Sequence, residues 1–201
     1  MPNGLQITYN NIITAHQIFL ENVPKDLFYK MATYLTKLSL EENSPFSLAE
    51  AISVLLQTWN KSFYRFRKFD LDYFNKIEEL IQHNFNIIND FRNREISSFT
   101  PNDNEVIAKI FKTFEKILGP VGSAKALHLL APYFFPIWDR TIAIAYGQAL
   151  SNRGINNLKY IEFMRLQKEQ CSNLPQNLPD GISKLKAIDE YNYCHYSKGW
   201  M

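Results

Sequence analysis

Cysteine is scarce in this 201-residue chain, with only Cys171 and Cys194 present, too few for the four thiolates of an iron–sulfur cluster or a four-cysteine zinc site. Both read as reduced thiols. The four histidines, His16, His83, His128 and His195, stand at no metal-ligand spacing, so no metal and no other cofactor is implied. Long apolar runs are missing too: none approaches the roughly 20 residues of a membrane span. The opening MPNGLQITYNN lacks a basic stretch leading into an apolar one. A cytoplasmic protein with no membrane partner is therefore expected. Excess charge of one sign is also absent, because 22 Lys and Arg against 20 Asp and Glu leave a net +2. Any nucleic-acid surface must then be local. Residues 51–69 supply one candidate, with Lys61, Arg65, Arg67 and Lys68 and no acidic side chain.

What is present is a normal globular composition, 46% hydrophobic and 21% charged, in a chain long enough to bury a substantial core as one domain or two packed lobes. Glycine and proline fall mostly in clusters, and the stretches between them repeat at helical period. Leu48, Ile52, Leu55, Leu56, Trp59 and Phe63 lie at spacings of three and four behind a Ser47/Glu50 capping box, which predicts a helix over 47–63. Ile77 to Phe91 and Val106 to Leu118 predict two more, the latter capped by Asp103 or Asn104 and ended by Gly119. Helices over about 11–21 and 25–38 are split by Pro24, and others are expected near 139–150, 157–172 and 180–193. The expected class is all-α, an array of eight or nine helices.

The segment richest in chemistry runs Ile117-Leu-Gly-Pro-Val-Gly-Ser-Ala-Lys125 and on through an aromatic, proline-containing connector to Trp138-Asp139-Arg140-Thr141-Ile142. A helix ending at Gly119, turning through Pro120-Val121-Gly122 and restarting at Ser123 would aim free backbone N–H groups and a positive dipole end outward, a fit for a DNA phosphate. Gly122 would allow close backbone approach, Val121 would tuck inward, and Lys125 would add charge. Alone, such a turn is an ordinary helix corner.

The order of hairpin, helix, proline-containing loop and helix-initial aspartate resembles the helix-hairpin-helix (HhH-GPD) DNA glycosylase superfamily, at motif level over about residues 105–150. The resemblance implies a two-lobed helical array with a cleft between the lobes. One lobe would hold about 47–133, including the hairpin 117–131, and the other 1–46 with 134–201. It implies that Gly119, Val121, Gly122, Ser123 and Lys125 grip the DNA backbone, assisted by Arg65, Arg67, Lys68 and Arg140, and that Asp139 is the catalytic carboxylate. A carboxylate beside C1′ stabilises the positive charge that grows on the sugar as an N-glycosidic bond breaks. Bifunctional members carry a lysine nucleophile just after the hairpin. Aligned on Gly-Val-Gly, that position is Ala124 here, and Lys125, roughly 100° further round the helix, is expected to point elsewhere. The expectation is a monomeric, monofunctional glycosylase that flips a modified base out of double-stranded DNA and leaves an abasic site. Small stand-alone relatives include phage-defence enzymes that attack glucosylated hydroxymethylcytosine.

A glycosylase also needs a base pocket of aromatic and polar groups. Trp59, Asn60 and Tyr64 are candidates within a basic, aromatic stretch, as are Trp138 and the terminal cluster Tyr191, Tyr193 and His195. The plainer alternatives are that these aromatics belong to the core, that Asp139 only caps its helix, and that the chain is a non-catalytic DNA-binding protein. His128, inside the hairpin helix, reads as a hydrogen-bonded structural histidine.

Overall fold

The computed structural model describes residues 7–65 and 68–201. Arg67, one of the expected backbone-contacting cations, lies outside the described residues. Among those described, the chain is helical with no strand, as the apolar periodicity requires.

Helix α1, Tyr9–Asn22, starts from a capping box between Thr8 and Asn11. The turn Pro24–Asp26 separates it from α2, Leu27–Leu38. α3, Leu48–Trp59, has the expected Ser47/Glu50 capping box. It stops four residues short of the predicted end because Asn60 leaves helical conformation, and a single turn, α4 (Lys61–Tyr64), follows. α5, Leu71–Arg92, is capped by Asp70.

α6, Asn104–Leu130, is two helices joined end to end. Gly119, with φ 71° and ψ 170°, breaks it in a region of backbone space open essentially to glycine alone. Pro120 then restarts the helix at the position where a missing N–H costs nothing and a fixed φ helps. The Ser123 hydroxyl donates to the Gly119 carbonyl at 2.7 Å and ties the restart to the break. The second half therefore begins three residues earlier than predicted.

Helix α7, Arg140–Ala145, is capped by Asp139 and is shorter than predicted, because Gly147 at φ 74° ends the run. α8, Asn157–Ser172, matches its predicted bounds. α9, Lys184–Asn192, begins at Ser183, whose side chain caps it, and passes into a π-helical turn, Tyr193–Lys198.

α2 packs on α3, α1 on α9, and α6 on both α5 and α8. Phe111, Phe114, Phe134, Phe135, Trp138, Tyr160 and Phe163 are all sealed in the core, each contributing about 1.5–3 kcal/mol of hydrophobic stabilisation as an upper estimate. Phe111 stacks on Tyr160 with centroids 4.2 Å apart, and Trp138 meets Tyr160 edge-on at 5.0 Å. No helix among the described residues is long and apolar enough to cross a membrane.

A methyl group on Gly119 would meet the Phe63 ring at 3.1 Å as well as strain the backbone. Gly119→Ala is expected to destabilise the protein by about 1–3 kcal/mol in urea unfolding. An unchanged midpoint would show that the break does not depend on glycine.

Candidate active-site cavity

The break at Gly119 sets the direction of residues 120–130, and the connector that follows is pinned at both ends. The Trp138 indole N–H donates to the Pro120 carbonyl at 3.0 Å, and the Tyr160 hydroxyl donates to the Pro136 carbonyl at 2.8 Å. With Phe134, Phe135 and Trp138 fully buried, Asp139 has little freedom. Its Oδ1 accepts from the Ile142 N–H at 2.7 Å, capping α7, and its Oδ2 accepts from the Ser197 hydroxyl at 2.6 Å. The π-helical turn after α9 thus completes the setting of this carboxylate. Each oxygen keeps a second lone-pair direction for another donor.

Asp139 lines a cavity of about 200 Å³ together with Phe19, Val23, Thr58, Trp59, Lys125, Ile137, Ile142, Asp189 and Tyr193. Trp59 is held in place by stacking on Tyr29, with centroids 5.6 Å apart and planes 11° from parallel. The Lys125 ammonium donates to the Trp59 carbonyl at 2.7 Å, leaving two of its three protons uncommitted by that bond. Burial pulls the Lys125 amine down to about 8, against the opposing pull of the Asp189 and Asp139 charges. This amine is therefore a weaker base than that of an exposed lysine.

Behind the cavity lies a buried ionic cluster. The Lys186 ammonium sits 2.9 Å from Asp26, 3.4 Å from Glu190 and 3.8 Å from Asp189. It also lies over the rings of Phe19 and Tyr29, 4.5 Å from each centroid. Burial alone would lower the affinity of Lys186 for its proton, but the surrounding carboxylates, Asp189 first, outweigh it and hold the charge. Glu190 continues the chain to His16 at 2.7 Å, and His16 lies 3.3 Å from the exposed Asp180. Among the described residues, no group of three or more His, Cys, Asp or Glu side chains is placed to hold a metal ion.

Comparison with family models, curated proteins and solved structures returns no match.

The geometry of the cavity divides the candidate residues. Asp139, Lys125, Trp59 and Tyr193 meet at the cavity. Lys125 is a correction, since it was expected at the DNA backbone, pointing away from the site. It is buried, and its ammonium is inside the cavity. Trp138 and Tyr191 are corrections of the opposite kind. Trp138 is wholly buried among Phe111, Tyr160 and Phe163, and Tyr191 is buried and stacked on His195 at 5.5 Å. Neither they nor His195 reaches the cavity. Asn60 caps α3 and packs against Gly122, and Tyr64 joins a cluster with Phe63, Phe69 and Tyr73.

At the turn, Gly122 is buried, and a Cβ there would stand 3.2 Å from the Asn60 amide nitrogen. Its small size serves helix packing, a correction to its reading as room for a phosphate. Ser123 is likewise buried and bonded to Gly119, so its hydroxyl is not offered to DNA. Pro120 and Val121 are half-buried, while Arg65, Lys68 and Arg140 are exposed. Lys68 lies 3.7 Å from Asp70.

The sequence reading missed Asp189 as a site residue. A signal existed: Lys186, Asp189 and Glu190 recur at spacings of three and four on one face of α9, and Tyr193 follows at the same spacing in the turn after it.

His128 is the structural histidine expected. Its Nδ1–H donates to the Phe135 carbonyl at 2.8 Å, so its Nε2 accepts from the Tyr29 hydroxyl at 2.8 Å. Burial holds it neutral, lowering its pKa from 6.5 to about 4. Between those values the unfolded chain binds the extra proton, so stability falls as pH falls. From pH 7 to pH 5 this group should cost roughly 2 kcal/mol. In urea unfolding at the two pH values, His128→Gln should lose that much less than wild type. Equal losses would mean His128 is protonated in the native state.

Proposed function

We propose that the protein is a DNA glycosylase that excises a modified base, with Asp139 as the catalytic carboxylate. The observation that carries this reading is that Asp139 and Lys125 share one small, aromatic-walled cavity. Residues from both proposed lobes contribute. Thr58, Trp59 and Lys125 come from the segment 47–133, and the remaining lining residues come from 1–46 and 134–201. A cleft between two lobes, open to an extruded nucleotide, accounts for that division.

In this reading the helix restart at Pro120 is the hairpin of a helix-hairpin-helix. A restarted helix leaves its first amides without intrahelical acceptors, and the half-buried Pro120 and Val121 keep that end at the surface. The amides and the dipole would take a DNA phosphate, with the exposed Arg65, Lys68 and Arg140 as candidate cations for further phosphates. A nucleotide turned into the cavity would stack on Trp59 or Tyr193 and bring its C1′ toward Asp139. The carboxylate stabilises the developing oxocarbenium charge as the N-glycosidic electron pair leaves with the base. In the hydrolytic route, water adds to C1′ and gives up its proton to Asp139. Excision from glucosylated hydroxymethylcytosine genomes is the direct assay of a role in defence against phages with modified DNA.

Asp139→Asn should keep the α7 cap, because asparagine caps as well as aspartate, while removing the charge. Excision across duplexes bearing alkylated, oxidised, deaminated and phage-modified bases should fall by at least about 100-fold, with salt-dependent duplex binding retained. Binding without excision by the wild type on that whole panel would establish a non-catalytic DNA-binding protein, with Asp139 as a helix cap.

The position of Lys125 favours a second route at the same site. A neutral amine there could attack C1′ in place of water, displace the base and form a Schiff base with the opened sugar. Borohydride added during turnover should then trap a covalent protein–DNA adduct with the wild type and none with Lys125→Gln. Excision with no adduct would return the chemistry to water.

A further inference from the structure

Asp189 differs from the other buried carboxylates. Glu115 is held by Asn156, Glu190 is bonded to His16, and Asp26 lies 2.9 Å from the Lys186 ammonium, with its other oxygen unpartnered but away from the cavity lining, while the half-buried Asp139 accepts two hydrogen bonds. Asp189 is only 8% exposed, and among the described residues nothing donates a hydrogen bond to its carboxylate. Its nearest ionic partner, Lys186, stands 3.8 Å away, beyond hydrogen-bond distance. Its oxygens are not fully enclosed, so a donor entering the cavity can reach them and make the hydrogen bond that the protein does not. Asp189 lines the same cavity as Asp139, among Phe19, Trp59 and Tyr193. Aromatic faces hold a flat heterocycle without regard to its edge, so the polar group beside them decides which edge fits.

An ionised carboxylate only accepts hydrogen bonds. It pairs with an exocyclic amino group, as aspartate and glutamate do with the N4 amino group of cytosine, and opposes a ring carbonyl lone pair to lone pair. Resting on the glycosylase reading above, we propose that Asp189 reads the edge of the extruded base, and that the substrates are bases with an exocyclic amino group, cytosine- or adenine-type and their modified forms, in preference to their keto counterparts.

The groups facing Asp189 set its charge. Burial and the carboxylates of Glu190 and Asp26 raise its pKa to about 7, against the attraction of Lys186 on its own helix and Lys125 on α6, with Asp139 across the cavity. The accepting form therefore prevails above neutrality, and KM for an amino-bearing substrate should rise as the pH falls below about 7.

The test is single-turnover excision by the full chain on matched duplex pairs that differ only in the amino or keto group: cytosine and uracil, 5-hydroxymethylcytosine and 5-hydroxymethyluracil, the glucosylated forms of each, and adenine and hypoxanthine. In any pair that is processed, the amino member should react about 10- to 100-fold faster. Asp189→Asn, which offers a donor as well as an acceptor, should shrink that ratio about 10-fold, with helical circular dichroism as the control for folding. Equal or faster excision of the keto members overturns the proposal, even if the variant fails to fold. An unchanged ratio in folded Asp189→Asn also overturns it, and in both cases the glycosylase reading survives. No excision of any duplex by the wild type overturns both.

Discussion

One helix has to change course inside its own length, and the cavity exists because it does. α6 lies against α5 and α8, and its residues 104–118 form an unbroken helix. Gly119 then takes a conformation that side chains forbid, and Pro120 starts a new helical segment on a new axis. The second segment carries Ser123, Lys125 and His128, each buried and each bonded to a different part of the chain: Gly119, Trp59 and Phe135. Trp138 reaches back to the Pro120 carbonyl, so the break and the aspartate that follows the connector are coupled by a direct hydrogen bond. The placement of Lys125 and Asp139 around one space is a consequence of that single backbone departure.

The second constraint is electrostatic. Lys186, Asp26, Asp189 and Glu190 share a buried region where isolated ions would be untenable. Their attraction joins α9 to the turn before α2, and His16 extends it to α1. Removing one member would strand the others, so these helices are fixed relative to each other by charge as well as by apolar contact. The aromatic wall depends on the same arrangement. Tyr29 stacks on Trp59, bonds to His128 and lies beneath the Lys186 ammonium.

Much of the fold was legible in the sequence because its signals are local. The Ser47/Glu50 capping box, apolar spacing and Pro24 located the helices, and α8 fell on its predicted bounds. The end of α3 at Asn60 was not legible, since that residue could equally have continued the helix, whereas Gly147 did mark the early stop of α7 although the expected bounds ran past it. Asp139 was singled out by the resemblance of its motif order to the helix-hairpin-helix glycosylases, while its own local signal is that of a helix cap. Lys125 was misplaced for a geometric reason. One residue is about 100° of helical rotation, and the second half of α6 restarts at Pro120 where Ser123 was expected, so the phase inferred from the motif was wrong. Trp138 and Tyr191 show a different limit. An aromatic on a cavity wall and one in the core carry the same composition and period, and only packing separates them. Asp189 was hidden because a charged residue in a helix ordinarily faces water, and its burial depends on Lys186, a partner three residues away.

The bond from Ser197 to Asp139 spans 58 positions. Translation therefore delivers the carboxylate long before it delivers the hydroxyl that orients it. A nascent chain halted in α9 would already contain the kinked helix, the cavity lysine and the capped aspartate, yet would lack the last hydrogen bond of the site. The setting of Asp139 is thus complete only once residue 197 has been made, and a chain that stops before it leaves that side chain fastened only to its own helix.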